Sequence, residues 1–309
     1  MGRVIGRSDV QAASTRIAGR IRRTPVFRAD ARTWFKLEFL QHAGSFKTRG
    51  MLNQIRSAAE RDELPAAGVI AASGGNAGLA AAYAARELGV PAEVYVPVTA
   101  PPVKVAKLTK LGARVTQVGT EYADAYAAAI RQAEVTDALF CHAYDDPAMV
   151  AGNGTLGLEL LEQIPDGFDT VLVAVGGGGL IAGVTAALRD RARIVAVEPV
   201  TCATLHEAMA AGRPVDVAVS GVAADSLGAR RVGQIAYDLT AAADLTSVLV
   251  DDQAIVDARR ALWDEYRIVV EHGTAAAQAA LISGAYVPAD GERVVVLLCG
   301  ANTDPSNLA

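Results

Sequence analysis

Lysine is the scarce residue in this chain: five among 29 basic side chains, at positions 36, 47, 104, 107 and 110. Cysteine is nearly as rare. Three residues, an odd number with no close pair, exclude a disulfide framework and fit a reducing compartment, for which the cytoplasm is the expectation. The four histidines show no metal-ligand spacing. No apolar run approaches the roughly 20 residues of a membrane span, so no membrane partner is expected. A net charge of −5 gives no reason to expect nucleic acid. Low-complexity linkers and internal repeats are absent. What remains is a 309-residue chain with 51% hydrophobic content, enough for one or two buried cores.

Arginines at 3, 7, 16, 20, 22 and 23 loosely resemble an organelle transit peptide. The chain runs without a break into Thr24-Pro25-Val26, and an amphipathic helix capped by Ser8, with Val10, Ile17 and Ile21 inward, is the better account. Beyond it, short apolar runs alternate with alanine-rich helical ones. Strands are predicted at 34–38, 68–72, 93–97, 114–118, 138–142, 170–175, 193–198, 246–250 and 293–298. Helices are predicted near 47–60, 76–89, 102–111, 121–135, 147–163, 179–190, 252–266 and 274–284. That order means βαβ units, mostly parallel sheets with helices on both faces, and nine strands point to two lobes. Ligands in such folds sit in the turns at the carboxyl ends of strands.

Four of those turns are chemically unusual. Lys47 follows the turn signal Gly44-Ser45 and opens a helix, where the positive end of the helix dipole and partial burial both favour its neutral amine. A lysine that forms a Schiff base needs that property. The other lysines read differently: 104, 107 and 110 as a solvated helix face, and Lys36 as the outward side chain of a strand. The second turn, Ser73-Gly74-Gly75-Asn76-Ala77-Gly78, bares backbone amides before a helix, as a carboxylate or phosphate requires. In the third, Gly176-Gly177-Gly178-Gly179 follows a buried strand. Helix–strand packing accounts for one or two glycines, and a run of four is read as a phosphate cradle. The fourth places Cys299 at the tip of the last strand.

A rival reading pairs Gly178 with Glu198, 20 residues on, as the outline of a dinucleotide site and hence an NAD-dependent dehydrogenase. The glycine spacing does not match G-x-G-x-x-G, and Lys47 would have no role. A lysine, two anion cradles and a polar strand tip instead match the needs of pyridoxal 5′-phosphate (PLP).

At this point the chain resembles the fold type II PLP enzymes, specifically the serine/threonine dehydratase group that includes serine racemase. The resemblance runs from about Thr24 to Asn302, and residues 44–50, GSFKTRG, resemble the Schiff-base motif. It implies a tryptophan synthase β-like α/β fold, with a large PLP-binding domain from 1–43 and 143–309 and a small domain from 44–142. It further implies that Lys47 holds PLP and then takes the substrate Cα proton, and that Phe46 packs on the ring. Ser73, Gly74, Asn76 and Ala77 would bind the substrate carboxylate, with Asn76 also near the ring hydroxyl. Gly176, Gly177, Gly178 and Gly179 would hold the phosphate, and Cys299 would face the pyridine nitrogen. A cation site would be formed by Glu198, the carbonyl of Cys202 and Thr204; with one formal negative charge it suits potassium. Gly74 stands where racemases have a second serine, which argues against efficient racemisation. His272 replaces the proline of a glutamate–proline segment near the cofactor.

The implied activity is β-elimination from L-serine or L-threonine, giving pyruvate or 2-oxobutanoate plus ammonia. 3-Hydroxyaspartate or another β-hydroxy amino acid is the alternative substrate. A homodimer is implied. With Ala309 just beyond the Cys299 turn, no regulatory domain is expected, which favours amino-acid catabolism.

Overall fold

A computed structural model describes residues 5–243 and 245–308. It contains all nine predicted strands, divided between two sheets. Helix α1 (Arg7–Ile17) leads into β1 (Val26–Arg28) and β2 (Thr33–Lys36). Then come α2 (Lys47–Glu60), β3 (Val69–Ala72), α3 (Asn76–Leu88), β4 (Ala92–Val96), α4 (Pro102–Lys110), β5 (Arg114–Gln117), α5 (Tyr122–Thr136) and β6 (Leu139–Phe140). The chain continues through α6 (Pro147–Gln163), β7 (Thr170–Ala174), α7 (Gly179–Leu188) and β8 (Arg193–Pro199). Three short helices follow, α8 (Thr204–Ala211), α9 (Ala224–Leu227) and α10 (Gln234–Ala241). The last elements are β9 (Thr246–Val250), α11 (Asp252–Tyr266), α12 (His272–Ile282) and β10 (Val294–Leu297).

The six-stranded sheet has the order β1-β2-β10-β7-β8-β9 and the four-stranded sheet β5-β4-β3-β6. Every pairing is parallel except β1 with β2. Parallel strands need crossover helices, and those helices bury both faces. Accordingly β3, β7 and β10 are buried at every residue. Val171, Val173, Val295 and Leu297 belong to one apolar cluster and Leu172, Ala174, Val294 and Val296 to the cluster on the opposite face. In the smaller sheet Val69 and Ala71 face one cluster, Ile70 and Ala72 the other. Each such valine or leucine removed from water contributes about 1.5–3 kcal/mol before entropy is counted.

The structure corrects four expectations. β1 carries no prediction: three residues give no alternation to read, and it is an antiparallel edge strand. The short helices α8, α9 and α10, at most eight residues each, are also unpredicted. Helix α1 starts one residue before Ser8: Gly6 is its N-cap, and its amide donates to Asp9 Oδ2 at 2.9 Å. Ile21 lies beyond the helix end. Lys36 does not point outward. It is fully buried, because β2 lies between β1 and β10 in a sheet covered on both faces. Its ammonium donates to Thr24 O, Glu159 and Gln163 at 2.6–2.8 Å.

Candidate active site

Lys47 is positioned by a pairing between distant parts of the chain. The turn before it has Ala43 and Gly44 in the left-handed region, at φ 57° and 75°. From there Phe46 N donates to Cys299 O and Ala301 N donates to Gly44 O, both at 3.0 Å, while Ser45 bridges to Gly300. The tip of β10 is thereby stitched to the start of α2, and Lys47 comes beside Cys299. The Lys47 amine is partly buried, donates to Ala143 O at 2.6 Å and lies 5.1 Å from the centre of the Phe46 ring. Burial pulls its pKa down to about 8, against the opposing charge of Glu271.

Cys299 is buried, and burial pushes its thiol up to about 12. Thr274 Oγ1 donates to Gly300 O at 2.9 Å, so the contact at 3.2 Å between Thr274 Oγ1 and Cys299 Sγ has the thiol as donor. A neutral sulfur therefore stands beside Lys47.

The second turn leads from β3 into α3. Gly75 N donates to Ser73 Oγ at 3.2 Å, and no side chain caps α3, leaving the amides of Asn76 and Ala77 without a protein acceptor among the described residues. Gly78 must be glycine, since a Cβ there would lie 1.9 Å from Ser73 O. Gly74 has room: its nearest neighbour would be Val96 Cγ1 at 3.4 Å. The Asn76 amide is held at both ends. Its Nδ2 donates to Glu271 Oε1 at 2.7 Å, and its Oδ1 accepts from Asn302 Nδ2 at 2.6 Å. Burial raises Glu271 to about 7, against the pull of Asn76. His272 continues smoothly from Glu271 into α12, with Glu271 N donating to Gly300 O at 3.2 Å.

The glycine run between β7 and α7 corrects the reason for reading it, though not the reading itself. Packing alone demands all four glycines. A Cβ would come within 2.9 Å of the Leu227 backbone at Gly176 and 2.3 Å of the Tyr144 ring at Gly177. At Gly178 it would meet Ala236 at 2.5 Å, and at Gly179 the carbonyl of Tyr144 at 2.7 Å. What points to an anion is different. The backbone N–H groups from Gly176 to Leu180 have no protein acceptor among the described residues, at the start of a ten-residue helix. This bare cradle and the carbonyl-bound amine of Lys47 are what a phosphate-bearing aldehyde requires, so the residues present fit PLP.

Glu198, Cys202 and Thr204 do come together. The Glu198 carboxylate is buried and raised to about 7 by that burial, and it accepts the amides of Leu205 at 2.7 Å and His206 at 2.8 Å, capping α8. Thr204 Oγ1 lies 3.3 Å from Glu198 Oε1 and donates to Gly176 O at 2.6 Å; Cys202 O accepts from Thr204 N. A carboxylate buried against α8 is not available to a ribose, which removes the footing of the dinucleotide reading. No group of three or more His, Cys, Asp or Glu among the described residues has a metal-binding arrangement. No helix among them is long and apolar enough to cross a membrane.

Sequence reasoning missed the Ala143 carbonyl, Tyr144 and Thr274. A carbonyl has no sequence signature, and Tyr144 meets the glycines only through the fold. It also missed an ion pair across the cleft: Lys104, on α4, donates to Asp225, on α9, and the Lys104 stem passes 3.8 Å from where a Gly74 Cβ would be.

Comparison with known proteins agrees with this geometry. The family model described as "Pyridoxal-phosphate dependent enzyme" matches residues 17–300. The chain is 36% identical to an L-threonine ammonia-lyase of Geobacter sulfurreducens, covering 97% of this chain and 76% of that one. It is 36% identical to a phenylserine dehydratase of Ralstonia pickettii, covering 98% and 94%. Among solved structures, maize serine racemase superposes with a TM-score of 0.91 at 30% identity, covering 99% of this chain and 96% of that one.

Proposed function

Since the chain belongs to the pyridoxal-phosphate-dependent enzymes, in their serine/threonine dehydratase group, we propose that it is an ammonia-lyase acting on L-serine and L-threonine, with Lys47 as its catalytic residue. The observation that carries this reading is the Lys47 amine, held by a backbone carbonyl with no ion pair among the described residues and a pKa drawn down to about 8. When bound, PLP supplies an electron sink for the pair left on Cα after proton removal.

The chain's own residues do the rest. The amides from Gly176 to Leu180 would hold the phosphate, and Phe46 would pack against the ring. The neutral Cys299 thiol would serve as the partner of the pyridine nitrogen, and as a poor proton donor it would favour the unprotonated ring. Ser73 and the amides of Asn76 and Ala77 receive the substrate carboxylate beside Gly74, while Glu271 and Asn302 keep the Asn76 side chain from turning. With the carboxylate and amino group fixed, the Cα–H bond is presented to Lys47 Nζ, which takes the proton as a general base. Loss of the β-hydroxyl and hydrolysis then give a 2-oxo acid and ammonium.

Residues 44–142 form the smaller lobe of this reading, and 1–43 with 143–309 the larger; Ile17 and Met149, from the flanking segments, reach into the smaller lobe's core. A potassium ion at Glu198, Cys202 and Thr204 would share the carboxylate with the α8 amides. Three free buried cysteines support a cytoplasmic location, and a homodimer belongs to the same reading.

The test is chemical. Holoenzyme should show a visible band bleached by borohydride, with the label recovered on Lys47. Lys47→Ala should lose the band and at least about 10³-fold in ammonia release. Full activity in Lys47→Ala would refute the assignment.

A further inference from the structure

Aromatic residues are only 5% of the chain, yet Tyr122, Tyr126, Phe140 and Tyr144 gather around His142 at one corner of the site. Ring centroids are separated by 5.9 Å for Tyr122–Tyr126, 5.5 Å for Tyr126–Phe140, 6.4 Å for Tyr126–His142 and 4.8 Å for His142–Tyr144. The last three pairs are edge-to-face, at 88°, 83° and 81°. Tyr126 and Phe140 rest on the cluster of Ile70, Ala72 and Tyr95, and edge-to-face arrangements of this kind can be extended by a further ring. None of the five is fully buried, and Tyr122 is 53% exposed. His142 Nδ1 accepts the amides of Tyr144 at 3.3 Å and Asp145 at 2.9 Å, so its proton is on Nε2 and the imidazole is neutral.

The corner adjoins the reacting atoms by topology. β3 and β6 are parallel neighbours, with Val69 opposite Leu139 and Ile70 opposite Phe140. Continued three residues, that register sets Ser73, at the start of the carboxylate turn, level with Ala143, whose carbonyl holds Lys47 Nζ. The residues on either side of Ala143 are His142 and Tyr144. The Tyr144 ring also closes over Gly177, so it touches the place of the cofactor. Besides the Lys47 amine, the described cation nearest the corner is Arg231, beside Tyr144, and it is paired with Asp216 at 2.7 Å; Asp145 adds negative charge, so a second carboxylate is poorly matched there. A hydroxymethyl or a methyl group would leave the rings wet.

Building on the ammonia-lyase reading, we infer that this corner receives the β-substituent, that the preferred substrates are β-aryl β-hydroxy α-amino acids, and that Tyr122 and Tyr126 determine that specificity. The reaction is balanced without a redox partner. The Cα–H and Cβ–O bonds break and water leaves. The free enamine then tautomerises and takes water back, so an aryl-substituted 2-oxo acid and ammonium are the products.

The experiment measures ammonium and 2-oxo acid release by holoenzyme with 3-phenylserine, threonine and serine. The kcat/KM for phenylserine should exceed that for threonine by about tenfold or more, as expected for an apolar group that fills its pocket. Tyr126→Ala should lower the phenylserine value about tenfold and change that for serine less than about threefold, whereas Tyr126→Phe should keep both, because the ring and not the hydroxyl makes the contact. Tyr122→Ala, at an exposed position that folding tolerates, should shift preference in the same direction. A wild-type preference for threonine or serine, or an equal loss on all three substrates in both alanine variants, overturns the inference while leaving the ammonia-lyase reading intact. No ammonium from any of the three overturns both.

Discussion

Lys47 and Arg49 are two residues apart at the start of α2, and their charges are held in opposite ways. Arg49 is fully buried but paired twice over: with both oxygens of Glu38 at 2.8 Å, and with those of Glu159 at 2.7 and 2.9 Å. Burial alone would lower its pKa; Glu38 and Glu159 outweigh it and raise it above the ordinary value. Lys47 is less buried, donates to a carbonyl with no ion pair among the described residues, and is drawn down. The difference teaches that of these two cations the one offset by two carboxylates keeps its charge, while the one without an ion pair gives up its proton more readily. One turn of helix thus carries both the anchor and the reactive amine.

The comparison breaks most visibly at the anchor. Arg49→Met leaves the buried Glu38 carboxylate with Lys36, 3.9 Å away, as its remaining counter-ion and removes one of the two cations on Glu159, and should cost about 3–5 kcal/mol in a denaturant titration. Adding Glu38→Met should recover part of that loss. A Lys47→Met change, by contrast, should leave the denaturation midpoint nearly unmoved or raise it. Next in size is Gly177→Ala, whose methyl would meet the Tyr144 ring; overpacking of this kind costs about 1–3 kcal/mol and should weaken PLP binding measured by equilibrium dialysis.

The pH dependence sharpens the contrast. Imine formation needs the neutral amine, so the rate of PLP loading into apoenzyme should rise with pH and reach its half-point near pH 8, the Lys47 value, rather than near an ordinary lysine's 10.5. Glu271→Gln removes a negative charge that favours the ammonium, and should move that half-point lower. The same shift carries a stability consequence: between about pH 8 and 10.5 the unfolded apoprotein binds a proton the folded one does not, so this group's contribution to stability rises with pH across that window. The smallest effect belongs to the exposed pair across the cleft. Lys104→Met should change stability by less than about 1 kcal/mol and reduce the salt dependence of kcat/KM.

Most elements of both sheets were legible because alternating strands and alanine-rich helices leave strong patterns. Lys47 was legible because the chain has few lysines and this one follows a turn. The remainder was hidden for physical reasons. Lys36 sits in an alternating run, and alternation cannot tell an outward residue from one facing a second buried layer. The four glycines attracted attention for a phosphate, when the Tyr144 ring, Leu227 and Ala236 each require them; the bare amides that matter leave no mark in the sequence. The ion pair of Lys104 with Asp225 joins residues 121 positions apart, beyond the reach of any local pattern.

The pairing of Phe46 with Cys299, and of β2 with β10, also has a consequence for biosynthesis. The strand at the heart of the larger sheet follows every other described strand in the chain, and the turn bearing the reactive amine has waited some 250 residues for its partner. Contacts of such long sequence separation form late and slowly. A nascent chain can therefore assemble its inner four-stranded unit early, but it captures the vitamin-derived aldehyde only after β10 has been made and paired.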